Sequence, residues 1–346
     1  MSLKSRNARA NRHVIPVGNP QLLRDICGPA HVHLQMIERA FAADEVRAES
    51  QGGEITITGE GDGARLAAEA LEAFIARIAA GADASAAELE AAIKLSRSPV
   101  ATGLSPDVIG GLRRPVMAQT SGQRSYLEKL KRDDLGLVFG VGPAGTGKTY
   151  LAVAIGAAEL KAGKRERLIV TRPAVEAGEK LGFLPGALEE KVDPYMLPIW
   201  DALNEVLGAQ EVERRKERKD IEVAPVAFMR GRTLKNAFVI MDEAQNATVP
   251  QMKMVLTRLG RGSRMIVTGD PSQTDLPGNM RSGLAHAIGI LEGVEGVALE
   301  RLTKADVVRH ELVGRIIEAY DIDAAGEAKP APSRPAAKSP GGTRRK

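Results

Sequence analysis

One run of eight residues constrains this chain more than any other: Gly142-Pro143-Ala144-Gly145-Thr146-Gly147-Lys148-Thr149, a match to G-x-x-x-x-G-K-[ST]. The spacing has a physical cause. Glycines let the backbone curl so that successive N–H groups point at phosphate oxygens. Lys148 would then reach the β- and γ-phosphates, and the Thr149 hydroxyl would coordinate Mg²⁺. Context gives the match its weight. Upstream, residues 135–141 form a short apolar run of buried-strand type; downstream, residues 150–160 carry Leu151, Ile155 and Ala158 at helical spacing. Strand, loop and helix in that order set a helix N-terminus against the phosphates, which argues against an ordinary glycine-rich turn.

A phosphate loop needs a metal-binding carboxylate on a neighbouring strand. Residues 237–241, Ala-Phe-Val-Ile-Met, are an apolar strand that ends in Asp242-Glu243. Asp242 is placed to hold the metal, mostly through water, and Glu243 to orient and deprotonate the attacking water. A further strand, residues 264–268, runs into Gly269-Asp270-Pro271-Ser272-Gln273. A polar residue there could sense the γ-phosphate, provided this strand lies between the loop strand and the Asp242 strand; the other reading is a plain turn. Thr303-Lys304-Ala305-Asp306 fits the [NT]KxD guanine-reading pattern, but Asp242-Glu-Ala-Gln245 is not the DxxG that accompanies it, so guanine specificity is not adopted.

From residue 119 onward strands alternate with helices, which predicts an α/β domain with a mostly parallel sheet. Another strand is read at 167–171. Residues 176–198 read as irregular, with Gly178, Gly182, Pro185, Gly186 and Pro194, and irregular stretches of that length are usually functional. A helix is predicted from Ile199, ending in the charged run 214–219, which is either a solvated face or a nucleic-acid contact.

Before residue 119 the order read from the sequence is strand (His13–Val17), two helices, two strands and a third helix. Asn19-Pro20 is an N-cap with Pro at the first helical position. Glu54-Ile-Thr-Ile-Thr58 alternates as a half-buried strand does. That order resembles the KH nucleic-acid-binding fold. The KH loop GXXG, which clamps a nucleic-acid backbone, reads here Gly28-Pro29-Ala30-His31, with no second glycine. His31 and His33 are read as surface or loop residues rather than metal ligands.

At 346 residues and 43% apolar the chain can bury a sizeable core, and 3% aromatics make that core aliphatic. One cysteine, Cys27, excludes an internal disulfide framework and fits a reducing compartment, with the side chain simply buried. No run approaches the roughly 20 apolar residues of a membrane span, and no signal-peptide pattern is found, so a cytoplasmic protein is expected. Residues 1–12 carry +4 and residues 326–346 carry +5 of a net charge that is only +4, which leaves the body at −5. Basic tails of this kind either hold nucleic acid through phosphate contacts or keep the protein in solution.

Taken together, Gly142–Thr149, Met229-Arg-Gly-Arg-Thr233, Asp242-Glu-Ala-Gln-Asn246 and Gly269-Asp-Pro-Ser-Gln-Thr274 resemble the PhoH-like ATPases, over roughly residues 119–320. The N-terminal region is similar to the small KH-like domain that many members carry. The resemblance implies a P-loop NTPase with a single RecA-like domain, a core similar to superfamily 1 helicases, and ATP and Mg²⁺ as cofactors. By that similarity Gln123 would contact adenine, Gln273 would couple the γ-phosphate to a nucleic-acid site, and Arg309 is a candidate arginine finger, with Arg230, Arg232 and Arg281 as alternatives. The expected layout is a basic tail (1–12), a KH-like α+β domain (13–81), a connector (82–118), the ATPase domain (119–325) and a second basic tail (326–346). The expected activity is ATP hydrolysis coupled to RNA or single-stranded nucleic acid, in a homo-oligomer such as a ring. A non-catalytic nucleotide-gated binding module and a small-molecule kinase are the alternatives.

Overall fold

Ile55, Ile57 and Gly59 alternate with Glu54, Thr56 and Thr58, which turns one face of their strand inward. In the computed structural model that strand is the centre of a three-stranded antiparallel sheet. The structure describes residues 11–98, 108–173, 188–278, 280–309, 312–316, 319–320 and 322, with only the backbone described for 188–195. β1 (Asn11–Pro16) and β2 (Arg47–Gln51) flank β3 (Glu54–Gly59). Between and after them come α1 (Pro20–Cys27), α2 (Val32–Ala40) and α3 (Gly63–Ala79), in the order read from the sequence. The first strand starts two residues earlier than expected, at Asn11, because Asn11–Pro16 pairs along the whole of β3. The Asn19 side chain accepts from the N–H groups of Gln21 and Leu22 and so caps α1.

α3 lays Ala64, Ala67, Leu71 and Phe74 on the inward face of this sheet, and α4 (Ala86–Ser96) joins the same core through Leu89, Ala92 and Ile93. Cys27 is buried here, as expected. His33 is not a surface residue. It is 4% exposed, its Nδ1 lies 2.9 Å from the Ile26 carbonyl, and its ring meets Phe74 edge-on. Phe74 of α3 and the Ile26 carbonyl of α1 hold the ring in place, which a residue-type reading of a lone histidine does not reveal.

The short hairpin of β4 (Val108–Ile109) and β5 (Val116–Met117) belongs to a different core. Ile109 and Val116 pack with α5 (Ser121–Lys131) and α6 (Lys148–Lys161). The stretch read as a connector is thus divided between two hydrophobic cores. That core and a third one, which holds Val239, Met241, Met265 and Val267, pack on a six-stranded, all-parallel sheet of β6 (Leu137–Val141), β7 (Arg167–Arg172), β8 (Ile221–Pro225), β9 (Ala237–Met241), β10 (Arg264–Gly269) and β11 (Val297–Arg301). The strand order is β11-β6-β10-β9-β7-β8. β10 therefore lies between the loop strand β6 and the Asp242 strand β9, the placement that γ-phosphate sensing requires.

α7 (Leu188–Leu207) corrects the sequence reading. It begins eleven residues before Ile199 and passes through Pro194 and Pro198, inside the stretch that reads as irregular. Met196, Ile199, Leu203 and Val206 are buried along it, and that tertiary burial outweighs the local cost of the prolines. Of the stretch read as irregular, residues 176–187 lie outside the described residues. Gly208, at φ 87°, ends α7, so residues 214–217 of the charged run fall on a separate α8 (Ala209–Glu217), and Arg218 and Lys219 follow its end. α9 (Val249–Leu256) and α10 (Gly283–Leu291) complete the layers. The chain divides into two units, Met1–Val307 and Val308–Lys346; among the described residues of the second, 312–316 are helical. No helix among the described residues is long and apolar enough to cross a membrane.

Candidate nucleotide site

β6 delivers the phosphate loop at its C-terminal end, and α6 starts at Lys148 directly after it. Gly142 sits at φ 145°, and a Cβ there would come within 2.3 Å of the Leu302 carbonyl, so no other residue fits. The Thr146 hydroxyl donates to the Pro143 carbonyl at 2.9 Å and holds the curl. Lys148 is 9% exposed, and its Nζ donates to the Gly142 and Pro143 carbonyls, each at 2.7 Å. Its pKa is lowered by burial, and the charges of Asp270, Glu243 and Asp242 oppose that fall. A phosphate would meet a loop whose cation is already on site.

The other side of the cleft comes from β9 and β10. The Asp242 Oδ1 accepts from the Thr149 hydroxyl at 2.6 Å and from the Thr268 hydroxyl at 2.7 Å. The Asp242 backbone N–H donates to the Thr171 carbonyl, which pins the carboxylate between β7 and β10. Glu243 turns the chain in the left-handed region at φ 49°. Its carboxylate accepts from the Gln245 amide and lies 3.7 Å from the Arg172 guanidinium. Gln245 in turn accepts from the Asp270 backbone N–H at 3.0 Å, so one amide joins the ends of β9 and β10. The residue pattern alone gives Gln245 no role; its place two residues after Glu243 is the available signal. Thr268 and Asp270 were likewise unassigned.

Lys148, Thr149, Asp242, Glu243, Asp270 and Gln273 line one cleft of about 280 Å³, together with Ala144, Gly145 and Gly147 of the loop. A larger depression of about 560 Å³ lies beside Gly28–His31, but its lining has neither the loop nor a carboxylate at a strand end. Chemistry, not volume, selects the smaller cleft. Among the described residues no cluster of three or more His, Cys, Asp or Glu could hold a metal ion alone. The donor set suits Mg²⁺, which takes one or two protein oxygens and completes its shell with phosphates and water. Thr149 and Asp242 would supply those oxygens. The Asp270 Oδ2, buried and without a hydrogen-bond partner, would be a further acceptor for metal-bound water.

Gln123, Arg232 and Asp306 are engaged within the protein. Gln123 is 5% exposed and turned onto the loop itself, its Nε2 donating to the Thr146 carbonyl at 3.2 Å. Arg309 belongs to the second unit. Arg232, one of its alternatives, is paired with Glu222. The [NT]KxD aspartate, Asp306, is not open to a base. Oδ1 accepts from Thr120 and Gly122, and Oδ2 from the Thr303 N–H and hydroxyl. Burial pushes its carboxyl up, but those hydrogen bonds outweigh it and hold the pKa below the ordinary value.

Residues 115–321 match the PhoH family, described as PhoH-like protein. The chain is 46% identical over 311 residues to a PhoH-like protein of Bacillus subtilis, covering 88% of this chain and 95% of that protein. It is 58% identical over 206 residues to a PhoH-like protein of Synechocystis, covering 60% and 62%. It is 45% identical over 208 residues to protein PhoH of Escherichia coli K12, covering 60% and 58%.

Proposed function

The chain belongs to the PhoH-like family, and from that premise we propose that it is a Mg²⁺-dependent ATPase whose turnover is coupled to RNA or other single-stranded nucleic acid. The observation that carries the reading is the convergence of Lys148, the Thr149–Asp242 pair and Glu243 in one cleft. Lys148 takes up β- and γ-phosphate charge, moving from the loop carbonyls to the phosphate oxygens. Thr149 and Asp242 would hold Mg²⁺, which would supply neutralising charge to the phosphates. Glu243 accepts the proton of the attacking water, and Gln245 orients its carboxylate. Gln273, at the end of β10 and on the same cleft, is the contact that reports the γ-phosphate.

The family resemblance and the basic tails support the nucleic-acid partner. The N-terminal region, a three-stranded sheet in the order β1-β3-β2 read here as a KH-like module, is a second candidate contact. A single RecA-like sheet leaves one side of the γ-phosphate without a cation from a second domain, so a homo-oligomer with Arg309 supplied by a neighbour completes the reading. The test is ATP turnover by the full chain with and without single-stranded RNA. A basal rate that rises with RNA is expected. Binding of ATP with no turnover in either condition would make the protein a nucleotide-gated module instead.

A further inference from the structure

The phosphate loop is gripped at both ends by one short segment, Leu302–Asp306. At the loop's start the Leu302 carbonyl occupies the space beside Gly142, and the Leu302 N–H donates to the Val141 carbonyl at 2.8 Å. At the loop's end the grip passes through α5. The Asp306 Oδ1 accepts from the Thr120 hydroxyl at 2.8 Å and the Gly122 N–H at 3.0 Å. The contact is close enough that a Cβ on Gly122 would lie 2.4 Å from that oxygen. Thr120 caps α5 through the Gln123 N–H. The Gln123 side chain then spans to the loop. Its Oε1 accepts from the Gln119 N–H at 2.8 Å, and its Nε2 donates to the Thr146 carbonyl at 3.2 Å.

We propose that Gln123 and Asp306 are positioning residues that set the shape of the phosphate loop, and that Gln123 acts on phosphate binding and not on the identity of the base. The chemistry follows from the peptide plane. In a trans peptide the C=O and the following N–H point in opposite directions. Fixing the Thr146 carbonyl toward Gln123 therefore aims the Gly147 N–H the other way, among the loop N–H groups that receive phosphate. Each end of the Gln123 amide already bonds a backbone group and the side chain is buried, so it is turned to the loop and not to an open face where a purine would lie. Asp306 has all four of its contacts inside the protein. Its conformity to a guanine-reading pattern reflects this clamp: the residue holds the turn that holds Gln123.

This inference rests on the nucleotide reading of the cleft, and the experiment separates the two. ATP, GTP and inorganic tripolyphosphate are titrated into the native full chain and the Gln123→Ala, Gln123→Glu and Asp306→Ala variants. Amide hydrogen exchange of residues 142–149 is measured without ligand. Loss of the hydrogen bond to the Thr146 carbonyl, common to the Gln123 variants, is expected to weaken all three ligands alike, by about 3- to 10-fold, and Asp306→Ala to do so at least as strongly. Gln123→Glu keeps the acceptor but loses the donor, and is expected to fare no better than Gln123→Ala. Exchange at 142–149 is expected to rise in every variant while exchange in β3 does not, which separates loop positioning from general destabilisation. A Gln123→Ala variant that loses ATP but keeps GTP and tripolyphosphate would overturn the proposal in favour of base reading. Unchanged exchange at 142–149 would overturn it as well. If the native chain bound none of the three ligands, the nucleotide reading would fall, and the exchange measurement would still decide the clamp.

Discussion

The three-stranded sheet and the six-stranded sheet bury their side chains to different ends. In the first, Ile55, Ile57, Leu71 and Phe74 fill the interior, and the buried histidine and arginine are spoken for: His33 by the Ile26 carbonyl, Arg77 by Glu88 and the Ala118 carbonyl. In the second, Lys148, Asp242 and Asp270 are buried at the C-terminal ends of parallel strands, and the Asp270 Oδ2 and Thr171 Oγ1 are left without partners. Leaving such a group unpaired costs about 1–3 kcal/mol. The Asp270 Oδ2 lies on the cleft, where a ligand can meet it, whereas the Arg77 Nη2 of the smaller core, also without a hydrogen bond, is held in an ion pair with Glu88.

The largest effect is expected where the cleft needs help from outside its own sheet. If a neighbouring subunit supplies Arg309, Arg309→Ala should lower turnover by about 10³- to 10⁵-fold. Mixing it with the equally inactive Lys148→Ala should restore activity, because some interfaces then pair an intact loop with an intact arginine. No recovery in demonstrably mixed oligomers would remove Arg309 from the site. Next, Glu243→Gln should bind ATP within a few-fold of the native chain and lose about 10²–10⁴ in rate, with single-turnover hydrolysis as the readout. A native rate would reassign the base.

The same contrast has a stability side. Phe74→Ala, in the closed core of the smaller sheet, should cost about 3–5 kcal/mol by denaturant titration. It should leave ATP affinity unchanged; a parallel loss of affinity would mean that the two cores unfold as one. The smallest effect expected is one of pH. The Asp306 carboxyl is held below its ordinary value in the folded chain, so its contribution is present above about pH 4 and disappears as pH falls through the folded pKa. Native protein and Asp306→Asn should therefore differ in melting temperature near neutrality and converge in acid. A gap that persists at the lowest pH would show that the lost contacts do not depend on the charge.

How much of this was legible beforehand depended on the range of the interaction. Gly142–Thr149 and Asp242-Glu243 could be read because their roles follow from backbone curl, residue type and the apolar strand before each of them. The alternation of residues 54–58 and the Asn19 cap are equally local. α7 was misread because Pro194 and Pro198 argue locally against a helix, while the burial of Met196, Ile199, Leu203 and Val206 argues for one only when the sheet is in place. His33 was misread for the same reason.

The sequence by itself determined the loop, the strand-end acids and the alternating α/β pattern, since each depends on neighbours a few residues apart. The tertiary structure decided which strands lie side by side, and so brought Gln273 and Asp270 to the loop by setting β10 between β6 and β9. It also decided that Gln123 faces the Thr146 carbonyl and that Asp306, 184 residues from Gly122 along the chain, closes on its N–H. Strand order and contacts at that separation are set by which faces bury together, and chain-local residue patterns do not record that choice.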